Sequence, residues 1–336
     1  IFMVFTHELF NLMGEENYET FPAILLEDSI GSWAHAMFLL IVGASLFLST
    51  QKRKDIGVNP AKHVILRGLF LIGLGFILNI FWNLSSFCIV DIFMIEILVI
   101  IGLSIIIVYF LLEKLPLIGK IVIFFIAFSL TPILQNIFLY NGPYAYEMYT
   151  EDANGLLAHY LTNGPFPIFP CSTYVMLGFI LGEYFLIIKK KQNYNKETQF
   201  ILFLFIISIP LVIFGYLFDT VDFFWEIFKW EDIYILMFYG MALLFLAIFM
   251  VIEKITPENK DYLKPLSEIG IVSLSIFFLD QIVGIIFESF ELYPYIPFVF
   301  AIIIVSVGII IMFIMTHIWI KIFKIGPLEW ILKKLT

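Results

Sequence analysis

The polar residues that interrupt long apolar runs are the ones that could do chemistry, because an ionisable group at membrane depth is costly, about 2.5 to 3.5 kcal/mol for a central Asp. His7 and Asn11 lie one turn apart at the end of "IFMVFTHELFNLM" and share a helix face. Asp28, Ser32 and His35 fall at i, i+4 and i+7 if a helix begins a little before Asp28. Asn79 and Asn83 repeat the one-turn spacing, Glu96 is expected a turn inside its apolar run, Gln135 and Asn136 close another run, and Asp280 lies beside Gln281 in a later one. An imidazole that titrates at about 6.5 when unperturbed suits a general base acting on a hydroxyl or amine. His7 reads either as such a base or as the cap of an interfacial helix end, and His35 is open in the same way. Asp280 reads as a functional carboxylate or as a structural hydrogen bond to a neighbouring helix. His159, in a long acidic loop, is expected to be exposed, and His317 reads as a structural or headgroup contact.

Helices must position these groups. Of 336 residues 61% are hydrophobic and 14% charged, with mean hydropathy +0.99. A soluble domain carries about 25% charge. The apolar runs have the length of a spanning helix, about 17 to 25 residues, and a backbone in lipid must bond within its own segment. The expected fold class is an all-α polytopic membrane protein of about ten spans, near residues 1–13, 33–50, 67–83, 92–112, 120–140, 168–188, 200–218, 233–252, 267–287 and 298–320. The first is short, so the chain is expected to start inside that helix. No soluble domain separates from the rest, and residues 1–336 read as a single transmembrane domain.

Charge gives the orientation. Of the 19 Lys and Arg, all but Lys229 lie in the loops 51–67, 113–120, 189–199 and 253–266 or in the tail after residue 320. By the positive-inside rule those loops and the C-terminus are cytoplasmic. The segments 14–32, 141–167, 219–232 and 288–297 are rich in Glu and Asp, so the net charge of −9 is mostly external and nothing suggests nucleic-acid binding. Nearly all the strongly polar intramembrane residues then lie in the outer half, which implies a polar cavity open to the outside. The alternative, that span ends are polar by nature, suits Asn83, Gln135 and Asn136 better than it suits Asp280 and Glu96. Cys88 and Cys171 both fall near the outer surface, where a disulfide is geometrically open but unpaired packing thiols are the commoner outcome. The sequence has no HExxH, CxxC, Walker loop, GxGxxG or GxSxG pattern, so no metal, nucleotide or hydrolase-elbow chemistry is indicated.

Several stretches, taken in order, resemble one group of proteins. "IFMVFTHELFNLM" resembles the end of the first span in membrane acyltransferases related to heparan-α-glucosaminide N-acetyltransferase, where an R-G-(apolar)-M-V-x-x-[H/N] run is typical. "SWAHAMFLLIVGASLFLST" and "RGLFLIGLGFILN" are similar to that group's second and third spans, and "GPFPIFPCSTYVMLGFILGEYF" to its Phe-Pro lead into a later span. "PLSEIGIVSLSIFFLDQIV" and the tail "IGPLEWILKKLT" resemble the C-terminal part of the related YeiB-like family, with Pro327 opening a short interfacial helix and Trp330 anchoring it.

The resemblance implies transfer of an acyl group, acetyl above all, from cytoplasmic acyl-CoA to a hydroxyl or amine acceptor at the outer face, a glycan or lipid-linked sugar. Partners on that reading are acetyl-CoA or another acyl-CoA as donor, the acceptor, membrane lipid and, as one option, a second copy of the chain; the membrane is the plasma membrane. Lys52, Arg53, Lys62 and Arg67, with Lys54, form a cytoplasmic cluster able to hold CoA phosphates, Arg67 by bidentate contact. A plain positive-inside loop explains the other four equally well. Gly43, Ala44, Gly73 and Gly75 would let helices approach closely around a threaded pantetheine arm. In the implied mechanism His7 is the general base, Asn11 or Asn79 donates to the developing oxyanion, and Asp28 or Asp280 orients an imidazole. An acetyl-histidine route competes with direct transfer. In the heparan-type enzymes the proposed catalytic histidine lies in the loop after the first span, where this chain has none between His7 and His35, so either of these two takes the role. The alternative from another class is a proton-coupled transporter using the outer cavity, with Asp280 or Glu96 as the coupling carboxylate.

Overall fold

The computed structural model describes residues 5, 8, 9, 12, 32–82, 92–138, 157–163, 166–190, 194–219, 230–256, 264–289 and 296–335. Among them there is no strand, and the helices are α1 (Ser32–Asp55), α2 (Ala61–Trp82), α3 (Ile97–Leu112), α4 (Leu117–Ile137), α5 (Ile168–Lys190), α6 (Tyr194–Asp219), α7 (Trp230–Ile255), α8 (Lys264–Ile271), α9 (Ser273–Ser289), α10 (Phe298–Phe323) and α11 (Pro327–Leu335). A single π turn, His159–Asn163, stands between α4 and α5. Seven of the described helices, α1, α2, α4, α5, α6, α7 and α10, are long and apolar enough to cross a membrane. The protein is thus a polytopic all-α membrane protein. Two of the expected spans take other forms: α3 is a 16-residue apolar helix, and the ninth is a pair, α8 and α9, bent by 69°. Most of the expected first span lies outside the described residues.

The chain divides into two compact units, residues 36–250 and residues 1–35 with 251–336. In the first, α5 is the most enclosed of the long spanning helices, and small residues explain how closely α1 crosses it. A Cβ added to Gly43 would meet the Val175 carbonyl, and one on Gly178 would run into the Leu40 carbonyl oxygen. With Ala44 facing Gly182, the "GFILG" stretch of α5 makes a small-xxx-small crossing. Gly75 packs on Val99 of α3, whereas Gly73 faces open space and supports no close approach, against the sequence expectation. Near the start of α5, where Cys171 is also buried, Thr173 and Tyr174 meet Tyr239 of α7, through a Thr173–Tyr239 hydroxyl contact and a 4.3 Å ring contact between the two tyrosines. Cys171 is a free thiol, and Cys88 lies outside the described residues.

In the second unit the opening stretch is helical at residues 5, 8, 9 and 12, and Leu9 and Leu12 bury against Ala301 and Val305 of α10. The "GPLEW" tail has a structural task there. Glu329, in the first turn of α11, accepts hydrogen bonds from the Leu274 and Ser275 amides at 2.8 and 3.1 Å and from the Ser275 hydroxyl, so it satisfies the free N-terminal amides of α9 just past the bend. Gly326 leaves room for this contact, because a Cβ there would meet the Glu329 carboxylate and the Ser275 hydroxyl and displace them. Glu329→Ala is expected to cost about 1 to 3 kcal/mol by leaving those donors unmet, read as a lower melting temperature in detergent and faster proteolysis of the tail. A variant as stable and as protected as wild type would show that α11 is not held this way.

Candidate functional site

At the basic-loop end of the first unit the five candidate cations separate by environment. Lys52 and Lys62 are exposed, Arg53 is partly buried, and Lys54 is tied to Glu113 at 2.7 Å across the ends of α1 and α3. Arg67 differs from all of them. It sits in the second turn of α2, where the helix packs along α3, and its Nε is buried with no hydrogen-bond partner among the described residues. A guanidinium cannot shed its charge, so a buried unmet N–H on it is a donor held ready for an anion.

Deeper on the same side lies a pair of charges far apart in sequence. Lys120, counted as a loop charge, is in the first turn of α4 with its side chain only 4% exposed, 2.5 Å from Glu183 of α5. Its ammonium also stands over the rings of Phe47 and Phe179, at 5.6 and 5.3 Å.

At the acidic-loop end four of the polar residues behave differently from expectation. Asn79 is buried and its amide nitrogen donates to the carbonyls of Ile92 and Met94, at 3.1 and 2.8 Å, so both of its hydrogens are spent on the backbone that leads into α3. It has no donor left for an oxyanion. Glu96 is not a turn inside its helix but the extended N-cap of α3, at φ −91° and ψ 169°, because residues 94–96 run irregularly before the helix begins. Gln135, read as an ordinary polar span end, is 1% exposed, while its neighbour Asn136 is exposed. His159, expected in solvent, is 7% exposed and opens the π turn, which packs against both α4 and α5. Burial holds its imidazole below the usual histidine range. The turn is fixed in place by Tyr160, whose hydroxyl donates to the Phe93 carbonyl at 2.5 Å.

Gln135 and His159 share a property with Arg67. Both amide atoms of Gln135 and the Nε2 of His159 are buried without a hydrogen-bond partner among the described residues. Each such atom costs about 1 to 3 kcal/mol, so unmet groups of this kind ask for an explanation. The sequence offered one signal for His159, a histidine in a loop too long to be a plain connection, but none for its burial.

In the second unit His35 is partly buried in the first turn of α1, Asp280 is partly buried in α9, and His317 of α10 faces Glu268 of α8 at 2.7 Å, the structural contact expected of it. His7, Asn11 and Asp28 lie outside the described residues. Among the described residues no three of His, Cys, Asp and Glu gather as they would around a metal ion.

Comparison with known families decides what framework these residues belong to. Residues 1–221 match the family described as heparan-alpha-glucosaminide N-acetyltransferase, catalytic. The chain belongs to this family. The acetyltransferase-family match takes in α1 to α5, the π turn and α6, and with them Arg67, Lys120, Gln135 and His159. Residues 185–336 match a second family, described as a protein of unknown function (DUF418), which covers the bent pair, α10 and the α11 tail. Neither curated proteins nor solved structures gave a match. Both halves of the resemblance read from the sequence are thereby borne out, and the acetyltransferase family gives the chain a transferase framework within the membrane.

Proposed function

We propose that the protein transfers an acetyl or other acyl group from acyl-CoA, bound on the cytoplasmic side, to a hydroxyl or amine acceptor at the outer face of the plasma membrane, a glycan or lipid-linked sugar. The observation that carries this reading is Arg67: a buried, unpartnered guanidinium N–H at the basic end of a spanning unit in an acetyltransferase family. An uncharged transported substrate gives no reason for a buried guanidinium N–H at that end, whereas the phosphates of CoA do. Arg53, Lys52 and Lys62 raise the local potential around it without holding the phosphates themselves. In the chemical step the acceptor's lone pair forms a bond to the thioester carbonyl carbon, the C–S bond breaks, and CoA leaves as the thiol. His7, or His35 in its place, takes the acceptor's proton; Asn11 donates to the oxyanion, and Asp28 or Asp280 orients the imidazole.

The test is acetyl-CoA binding by the purified full chain in detergent. Arg67→Ala is expected to weaken binding about tenfold to a hundredfold, the worth of one or two charge-assisted hydrogen bonds. Arg67→Lys recovers little of it, because an ammonium cannot offer the forked donor. His7→Ala keeps the affinity. A well-folded wild type that binds no acetyl-CoA would overturn the reading.

A further inference from the structure

Two buried polar side chains of the first unit remain without a task. Gln135 closes α4 and His159 opens the π turn that packs on it, and both are more than nine-tenths buried at the end of the unit away from Arg67. Between them they carry three unmet atoms among the described residues, an amide oxygen, an amide nitrogen and an imidazole nitrogen. Nothing in the packing requires these atoms: a leucine in place of Gln135 would fill the same space without burying an amide. The π turn adds a second sign. Its geometry is less stable than an α-helical turn and recurs where a side chain must be aimed for function, and this one is pinned to the backbone before α3 by the Tyr160 hydroxyl.

We propose that Gln135 and His159 form the acceptor-binding site of the transferase. His159 Nε2 accepts a hydrogen bond from a hydroxyl or amine of the acceptor other than the one that is acylated, and the Gln135 amide gives one donor and one acceptor to a neighbouring group. A sugar ring suits this set, because it carries further hydroxyl or amine groups beside the one that is acylated. A simple alcohol or amine carries none. The imidazole stays neutral in its buried place, which is the form that can accept such a bond. The inference rests on the acyl-transfer reading above and adds to it the residues that choose the acceptor.

The experiment measures acetyl transfer from acetyl-CoA to methyl glucosaminide, glycerol and ethanolamine by the full chain in detergent, with acetyl-CoA affinity measured in parallel. Gln135→Leu and His159→Gln are expected to raise the KM for methyl glucosaminide about tenfold or more while acetyl-CoA affinity stays within about twofold. Gln135→Leu removes a buried unmet amide and is expected to fold at least as well as wild type, so its kinetics report binding and not collapse. Ser104→Ala, which removes a buried hydroxyl elsewhere in the same unit, serves as the control and leaves the KM unchanged. An unchanged KM in both variants, with acetyl-CoA still bound, overturns the acceptor site but not the transferase. A wild type that binds acetyl-CoA yet acetylates none of the three probes overturns the acceptor chemistry named here. A wild type that binds no acetyl-CoA removes the reading on which the site rests.

Discussion

Gly178→Leu is expected to prevent α1 and α5 from docking, with a loss of about 3 kcal/mol or more, the upper end of what overpacking costs. The side chain would have to enter the Leu40 backbone, where even a Cβ meets the carbonyl oxygen, and neither helix can yield locally because Gly43 makes the reciprocal contact with Val175 one step away. Relief requires separating the helices along their whole crossing, including the edge-to-face contact of Phe47 with Phe179 at 5.1 Å. The same kind of change at Gly73 should do the opposite. Nothing stands within 4 Å of a Cβ there, so Gly73→Ala is expected to gain up to about 1 kcal/mol from helix propensity alone. Melting curves of the two purified variants check the pair. A Gly178→Leu protein that melts within about 2 °C of wild type would mean that the crossing is not the close one described.

The contrast between these glycines shows what a sequence can and cannot carry. Gly43 and Gly73 look alike in it, since each is a small residue in an apolar run. Only the partner's backbone, more than a hundred residues away for Gly43, tells them apart. The spans themselves were legible, because length and hydropathy are local properties that lipid enforces. Arg67 stood out as the basic residue nearest the apolar run of its helix, but the burial of its Nε depends on packing that the sequence does not carry. The acidic-loop end was misread for one physical reason. A polar residue at the end of a span is equally consistent with solvent, with a backbone contact and with a buried site, and the choice among them is made by elements distant in sequence. Asn79 went to the backbone before α3, Glu96 to its N-cap, and Gln135 and His159 to the interior, because a loop that reads as acidic and long folds a π turn back over α4. The tail was recognisable by its motif, but the reason for Glu329 in it became visible only when α9 was seen to begin at a bend.

Lys120→Met is expected to destabilise the protein by about 3 to 5 kcal/mol, the usual cost of removing one partner of a buried ion pair. Its position makes the pair an unusual one. A lysine in the first turn of a helix faces the positive end of the helix dipole, so Lys120 is held inward by something outside α4. That is Glu183, 2.5 Å away and 20% exposed on α5, with the two phenylalanine rings closing over the ammonium. The phenylalanines come from α1 and α5, so one charge ties three helices near the end of the unit that carries Arg67. Deleting it leaves a carboxylate facing hydrocarbon. Deleting both charges should not: Lys120→Met with Glu183→Leu is expected to recover most of the lost stability, since a well-packed apolar pair commonly equals or exceeds a buried ion pair. Thermal melting of the two single variants and the double variant measures the coupling. If the loss in the double variant equals the sum of the two single losses, the two residues act independently and the pair is not what joins α4 to α5. If it recovers stability but weakens acetyl-CoA binding as Arg67→Ala does, the lysine serves the donor as well as the fold.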